Sequence, residues 1–301
     1  MKKKYIILAA FLLALGLILF GGMMAVLKWD FGGFITTEYE TATHTLTEDF
    51  QSIKIESDTA DVVFLLAEGD GCTVTCEQEK KMPFTVTVAD GTLKIERNDT
   101  RKWYEHISIG FRSPKVTVSL PKAQYDALKV KASTGAVALK DISFDAVEIT
   151  ASTGNITVEN ASFGRLDLSL STGKITLASL TAGEIKAHVS TGKTVLTGVK
   201  ANSLFSDGST GDLVMTDTVL SGKLSVERST GDVRFTRCDA GEIEIETDTG
   251  DVEGSFLTEK VIFAATDTGK VLVPQSTVGG RCEIETDTGD IKIVFSVTEE
   301  K

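Results

Sequence analysis

Residues 146–202 divide into three lines of 19 that align one beneath another: AVEITASTGNITVENASFG (146–164), RLDLSLSTGKITLASLTAG (165–183) and EIKAHVSTGKTVLTGVKAN (184–202). Val147, Ile149 and Ala151 precede the first Thr-Gly pair, and Ile156 and Val158 follow it. Leu166, Leu168, Leu170, Ile175 and Leu177 then repeat the order. Apolar residues two apart mark a strand with one face on a core, not a helix. Outward from these lines the same centre recurs at Gly135, Gly154, Gly173, Gly192, Gly211, Gly231, Gly250, Gly269 and Gly289, at intervals of 19 or 20. Units this short cannot bury an apolar face alone, so a fixed period implies stacking.

Two strands per unit, repeated in one direction, place equivalent strands parallel, which excludes a meander. The expected fold is all-β: a parallel β-solenoid, with the right-handed sense that parallel crossovers favour, of about nine 19-residue coils. Each coil would add about 4.8 Å, so eight intervals span about 38 Å. A leucine-rich repeat is excluded, because the units have no room for a helix and no asparagine ladder. Glycine at each bend implies positive φ. Two residues before it stand Ser133, Ser152, Ser171, Ser190, Ser209, Ser229, Asp248, Asp267 and Asp287. Serine and aspartate share an oxygen able to accept from a backbone N–H two residues on, so this position is expected to cap the turn. A second bend is marked by Asn160 and Gly164, and in the next unit by Thr181 and Gly183.

Residues 28–126 are expected to form an irregular β region, and residues 127–301 the repeat solenoid. Asp58-Thr59-Ala60, flanked by Ile53, Ile55, Val62 and Phe64, reads as a worn first coil. An insertion follows, with a hairpin of residues 84–88 and 93–95 around Asp90-Gly91 and a loop carrying Trp103 and Tyr104. Residues 116–121 then re-enter the stack. Such atypical ends protect the open edges of a solenoid.

Residues 1–27 read as a membrane anchor. Lys2, Lys3 and Lys4 precede an uncharged run, residues 5–27, long enough as a helix of about 35 Å to cross a bilayer of about 30 Å. The lysines are expected to stay cytoplasmic, with Trp29 at the outer interface and the bulk of the chain extracytoplasmic. The rival reading, a cleaved signal peptide, has a shorter apolar core, and no small-x-small site follows Phe20. Of 31 basic residues, 28 lie beyond the anchor against 43 acidic ones, a balance of −15 that argues against a nucleic-acid partner. Cys72 and Cys76, four residues apart on one strand, would stand about 13 Å apart and cannot bridge. Buried free thiols are expected there and at Cys238 and Cys282.

Repeated S-T-G-(D/N/K) turns, the lead-in Val116-Thr117-Val118-Ser119-Leu120-Pro121 and one N-terminal membrane segment resemble the bacterial putative-adhesin, LiaG-like family, a domain of unknown function with β-strand repeats. The resemblance covers about residues 40–295. It implies an envelope protein of β-solenoid type, in some cases linked to envelope stress, and it carries over no catalytic residue.

Three groups of residues invite chemistry. Asp248, Asp267 and Asp287 each begin a D-T-G, the aspartic-protease signature, but that chemistry needs two loops facing each other, and here the loops share one ladder. Their spacing near 5 Å also approaches that of a retaining glycosidase pair. Against this, residues 127–301 hold seven phenylalanines but no tryptophan or tyrosine for sugar stacking. As a metal site the three aspartates would suit Ca²⁺, whereas Asp251, Lys270 and Asp290 after the glycines alternate in charge and would neutralise across coils. No other cofactor is expected. Phe263, in a run apolar on both faces, and Trp103 and Tyr104 are the candidate interaction residues. The leading expectation is a non-enzymatic, membrane-anchored surface solenoid with an envelope protein or surface ligand as partner. A carbohydrate-active β-helix and a stress-sensing accessory protein are the alternatives.

Overall fold

The computed structural model describes residues 2–26, 38–99, 112–122 and 124–296. Trp29, Trp103 and Tyr104 therefore lie outside the described residues. The apolar N-terminal run forms α1 (Lys2–Val26), and the remaining elements are strands. The irregular region supplies β1 (Tyr39–Leu46), β2 (Ser52–Ser57), β3 (Asp61–Leu66), β4 (Cys72–Glu79), β5 (Phe84–Ala89), β6 (Thr92–Arg97) and β7 (Lys115–Leu120). The repeats begin with β8 (Gln124–Thr134) and β9 (Val137–Lys140). They continue through β10 (Ser143–Glu159), β11 (Ser162–Ala178) and β12 (Thr181–Thr197), each running through its Thr-Gly bend. Then come β13 (Lys200–Thr210), β14 (Leu213–Thr216), β15 (Val219–Leu220), β16 (Lys223–Thr230) and β17 (Val233–Cys238). The last are β18 (Glu242–Thr249), β19 (Val252–Phe256), β20 (Lys260–Thr268), β21 (Val271–Leu272), β22 (Gly280–Thr288) and β23 (Ile291–Phe295).

Successive coils pair in parallel with the 19-residue register, Val147 on Leu166 on Ile185 and Ile156 on Ile175 on Thr194. The inward residues of every coil join one apolar core running from Phe50 to Ile293, so the irregular region and the repeats share it without a break. β2 and β3 stack directly on β8 and β9, which makes residues 52–66 the worn first coil.

The order of coils departs from sequence order at both ends. β2 lies between β6 and β8, and β3 between β7 and β9, so the inserted β6/β7 pair forms the outermost level. At the other end β22 lies between β18 and β20, and β23 between β19 and β21: the last coil in sequence is next to last in space. The nine Thr-Gly coils and two N-terminal levels span about 48 Å at 4.8 Å per step. The N-terminal end is covered, since β5 pairs antiparallel with β6, and β4 and β1 extend the sheet antiparallel from β7.

The two bends of a coil differ in kind. All nine Thr-Gly glycines have positive φ, from 128° at Gly211 to 158° at Gly289, an extended mirror conformation open to glycine alone. A Cβ on Gly211 would also run into the carbonyl oxygen of Gly192 in the preceding coil. The N–H groups of Gly135, Gly211 and Gly231 donate to threonine carbonyls of the following coil, at 2.7–3.0 Å. The expected capping role of the serines and aspartates two residues earlier is therefore not what satisfies these bends. At the second bend the positive-φ residues are Asp141, Asn160, Ser179, Gly198, Asp217 and Arg237, with φ of 50–64°, the ordinary left-handed region that short polar side chains enter. Asn160 stands where expected, whereas its counterpart in the next coil is Ser179, two residues before Thr181.

Candidate interaction surfaces

Asp248, Asp287 and Asp267 stand exposed on one edge in that spatial order, because β22 intervenes between β18 and β20. Among the described residues no three His, Cys, Asp or Glu side chains gather closely enough to hold a metal ion. Carboxylates that tie coils together lie just after the glycines, and after Ala60 in the first coil. Asp61 Oδ1 accepts from Ala136 N, Asp212 from Asp232 N, Asp232 from Asp251 N, Asp251 from Asp290 N and Asp290 from Lys270 N, at 2.8–3.3 Å. Each carboxylate thus caps the equivalent N–H one coil along. The expected alternation Asp251, Lys270, Asp290 is in space Asp251, Asp290, Lys270, so two aspartates adjoin. The aligned repeats show this position as readily as the Ser/Asp one. Only hydrogen-bond direction separates the two.

The C-terminal end of the stack is open. β20 has a partner, β22, on one edge only, and inward residues that neighbouring coils bury fully, such as Ile245 and Ile284, give way to half-buried Ile262 and Ala264. A cavity of about 660 Å³ lies over them, walled by Val273, Pro274, Val278 and Glu259. Phe263 is 55% exposed, in register with Glu283 and Glu244, and the Arg281 guanidinium lies 5.5 Å from its ring centroid. Leu272 and Val278 are exposed at the same end. This end carries the largest exposed aromatic surface of the described coils. The N-terminal end, with two layers of antiparallel strand over it, has no counterpart.

A polar cluster midway along the stack was not foreseen. Its ladder reads His188, Asp207, Glu227 and Glu246 on successive coils. His188 Nδ1 is 2.5 Å from Asp207 Oδ2, and its Nε2 is 3.1 Å from Ser190 Oγ. The order serine, imidazole, carboxylate matches that of a hydrolytic triad, but it lies on an outward strand face. Beneath it the inward column Ala151, Leu170, Val189 is broken by Gly208 and Arg228. Arg228 is 5% exposed, and burial lowers its pKa to about 10. Strand parity alone places Arg228 on the inner face, which is the signal the sequence offered.

The four cysteines are free and buried, and desolvation raises Cys72 and Cys76 to about 11 and Cys282 to about 12. Thiols so far above neutrality are poor nucleophiles and serve as core residues.

Solved structures share this architecture. A "putative adhesin" from Bacteroides fragilis NCTC 9343 matches with a TM-score of 0.52 at 14% identity, over 85% of this chain and 97% of that one. One from Parabacteroides distasonis ATCC 8503 matches at 0.51 and 14%, over 86% and 98%. Identities this low establish the fold alone. No curated protein sequence matches the chain. The family model described as Toastrack DUF4097 matches residues 50–294, which spans both the irregular region and the repeats. It lends no support to the narrower LiaG-like label. With its glycine-ladder coils and continuous core, the chain belongs to the Toastrack DUF4097 family.

Proposed function

We propose that this chain is a non-enzymatic, membrane-anchored, extracytoplasmic solenoid that engages a protein or surface ligand through its C-terminal end. The observation that carries the reading is the contrast between the ends. The end next to β1, 13 residues after α1, is capped by antiparallel strands whose outer members, β1 and β5, carry no large exposed apolar side chain, and the far end exposes the β20 edge with Phe263, Leu272 and a cavity lined by both polar and apolar side chains. An uncovered sheet edge invites strand addition, and exposed aromatics are favoured interface anchors. The apolar run Lys4–Val26 has the length and composition of a membrane span. The adhesin naming of the structural neighbours agrees with a surface-binding role.

Photo-crosslinking of the full chain in its own membrane tests the proposal. A crosslinker at position 263 is expected to capture a partner, and one at Ser169, outward and mid-stack, is not. Equal capture at both positions, or none at 263, would overturn it. Trp103 and Tyr104 remain further candidate contacts, and the same experiment at those positions decides on them.

A further inference from the structure

We propose that the cavity between His188 and Asp248 binds a small zwitterion, with the ligand's carboxylate on Arg228 and its ammonium group toward Glu227, Glu246 and Asp248. The cavity holds about 300 Å³ and opens over Gly208, where the missing side chain exposes the floor. Arg228 forms that floor. It donates to Ser206 Oγ at 2.8 Å and to the Glu227 carbonyl at 2.9 Å, both neutral acceptors, so two of the five donors of a guanidinium are engaged. No carboxylate among the described residues forms a close ion pair with it: Asp207 favours its charge from a longer distance but is hydrogen-bonded to His188. A buried guanidinium whose nearest carboxylate is hydrogen-bonded elsewhere is incompletely neutralised, and a carboxylate ligand in direct contact would relieve that penalty. A simple anion does not suit the site, since the three rim carboxylates Glu227, Glu246 and Asp248 would repel it. They too have no cationic partner among the described residues. One buried cation with free donors below and three exposed anions without a cationic partner above describe the two ends of an amino-acid-like ligand, and an Arg–carboxylate contact is commonly bidentate.

The test uses the full-length chain in detergent, with alanine (both enantiomers), acetate and methylammonium as probes at about 10 mM, tenfold above a millimolar Kd. Saturation-transfer NMR is expected to show alanine bound, and acetate and methylammonium at least tenfold weaker. Arg228→Met, which restores an apolar column, should abolish the alanine signal. Should that variant not fold, the exposed-rim triple Glu227→Gln/Glu246→Gln/Asp248→Asn decides, with a loss of tenfold or more expected. The proposal is overturned if the parent binds neither enantiomer, if acetate binds as well as alanine, or if a folded Arg228→Met or rim variant binds as the parent does.

Discussion

Each coil turns twice, and the two corners are built on opposite principles. At the Thr-Gly corner the backbone of one coil lies against the carbonyl of the last, Gly211 over Gly192 and Gly192 over Gly173, at a φ that only glycine adopts. At the second corner Asp141, Asn160, Ser179, Gly198, Asp217 and Arg237 share a left-handed φ with room around it: a Cβ on Gly198 would find its closest neighbours 3.9 Å away. The first corner is fixed by sterics between coils, and the second only by a local dihedral preference. An uncrowded dihedral is met by several side chains, whereas an overlap with backbone is met by none.

The largest effect should therefore come from Gly211→Ala, with destabilisation of about 3–5 kcal/mol from overlap with Gly192 plus forbidden φ. A thermal midpoint equal to that of the parent would show that neighbouring coils can separate to admit a methyl group. Gly198→Ala makes the same chemical change at the other corner and should lose about 1–2 kcal/mol, the left-handed penalty alone, while Gly198→Asn should be nearly neutral. If the two alanine variants melt together, the distinction between corners fails. Asp232→Ala should cost about 1 kcal/mol by removing the acceptor for Asp251 N, seen as faster amide exchange at residue 251 than at its neighbours. Smallest of all, replacing Asp248, Asp267 and Asp287 by serine should change stability by no more than about 0.5 kcal/mol, since six other coils carry serine there. Millimolar Ca²⁺ should shift parent and triple variant alike. A rise confined to the parent would make that edge a metal site after all.

These contrasts explain which parts of the molecule were legible. The Thr-Gly corner writes itself into the sequence nine times because sterics admit one residue. The second corner was misplaced by two residues in one unit because Asp, Asn, Ser, Gly and Arg all serve there. The capping carboxylates stand after the glycine rather than before it, a choice hidden in the sequence because oxygen-bearing residues at either flank have the chemistry, and only the register shows which oxygen faces the next coil. Phe263 was readable as an outward apolar residue among glutamates. Arg228 carries strand parity, two residues after Val226 and four after Leu224, as its one signal of an inward position, and against it stands the ordinary preference of a charged residue for solvent.

By itself the sequence determined the period, the strand faces, the parallel stacking and the glycine ladder, all consequences of residue parity and local backbone sterics. It did not determine the order of coils at either end. One parallel coil edge offers the same hydrogen-bond pattern to any 19-residue unit, so local chemistry cannot choose between residues 260–272 and 280–295 for the inner level. Burial chooses. In register with Ile262, Ala264 and Val271 of residues 260–272, residues 280–295 bring Cys282, Ile284 and Ile291, followed by Ile293. The unit with the fuller apolar face takes the position with neighbours on both sides, where each buried side chain gains most from leaving water, and the poorer one is left as the open end.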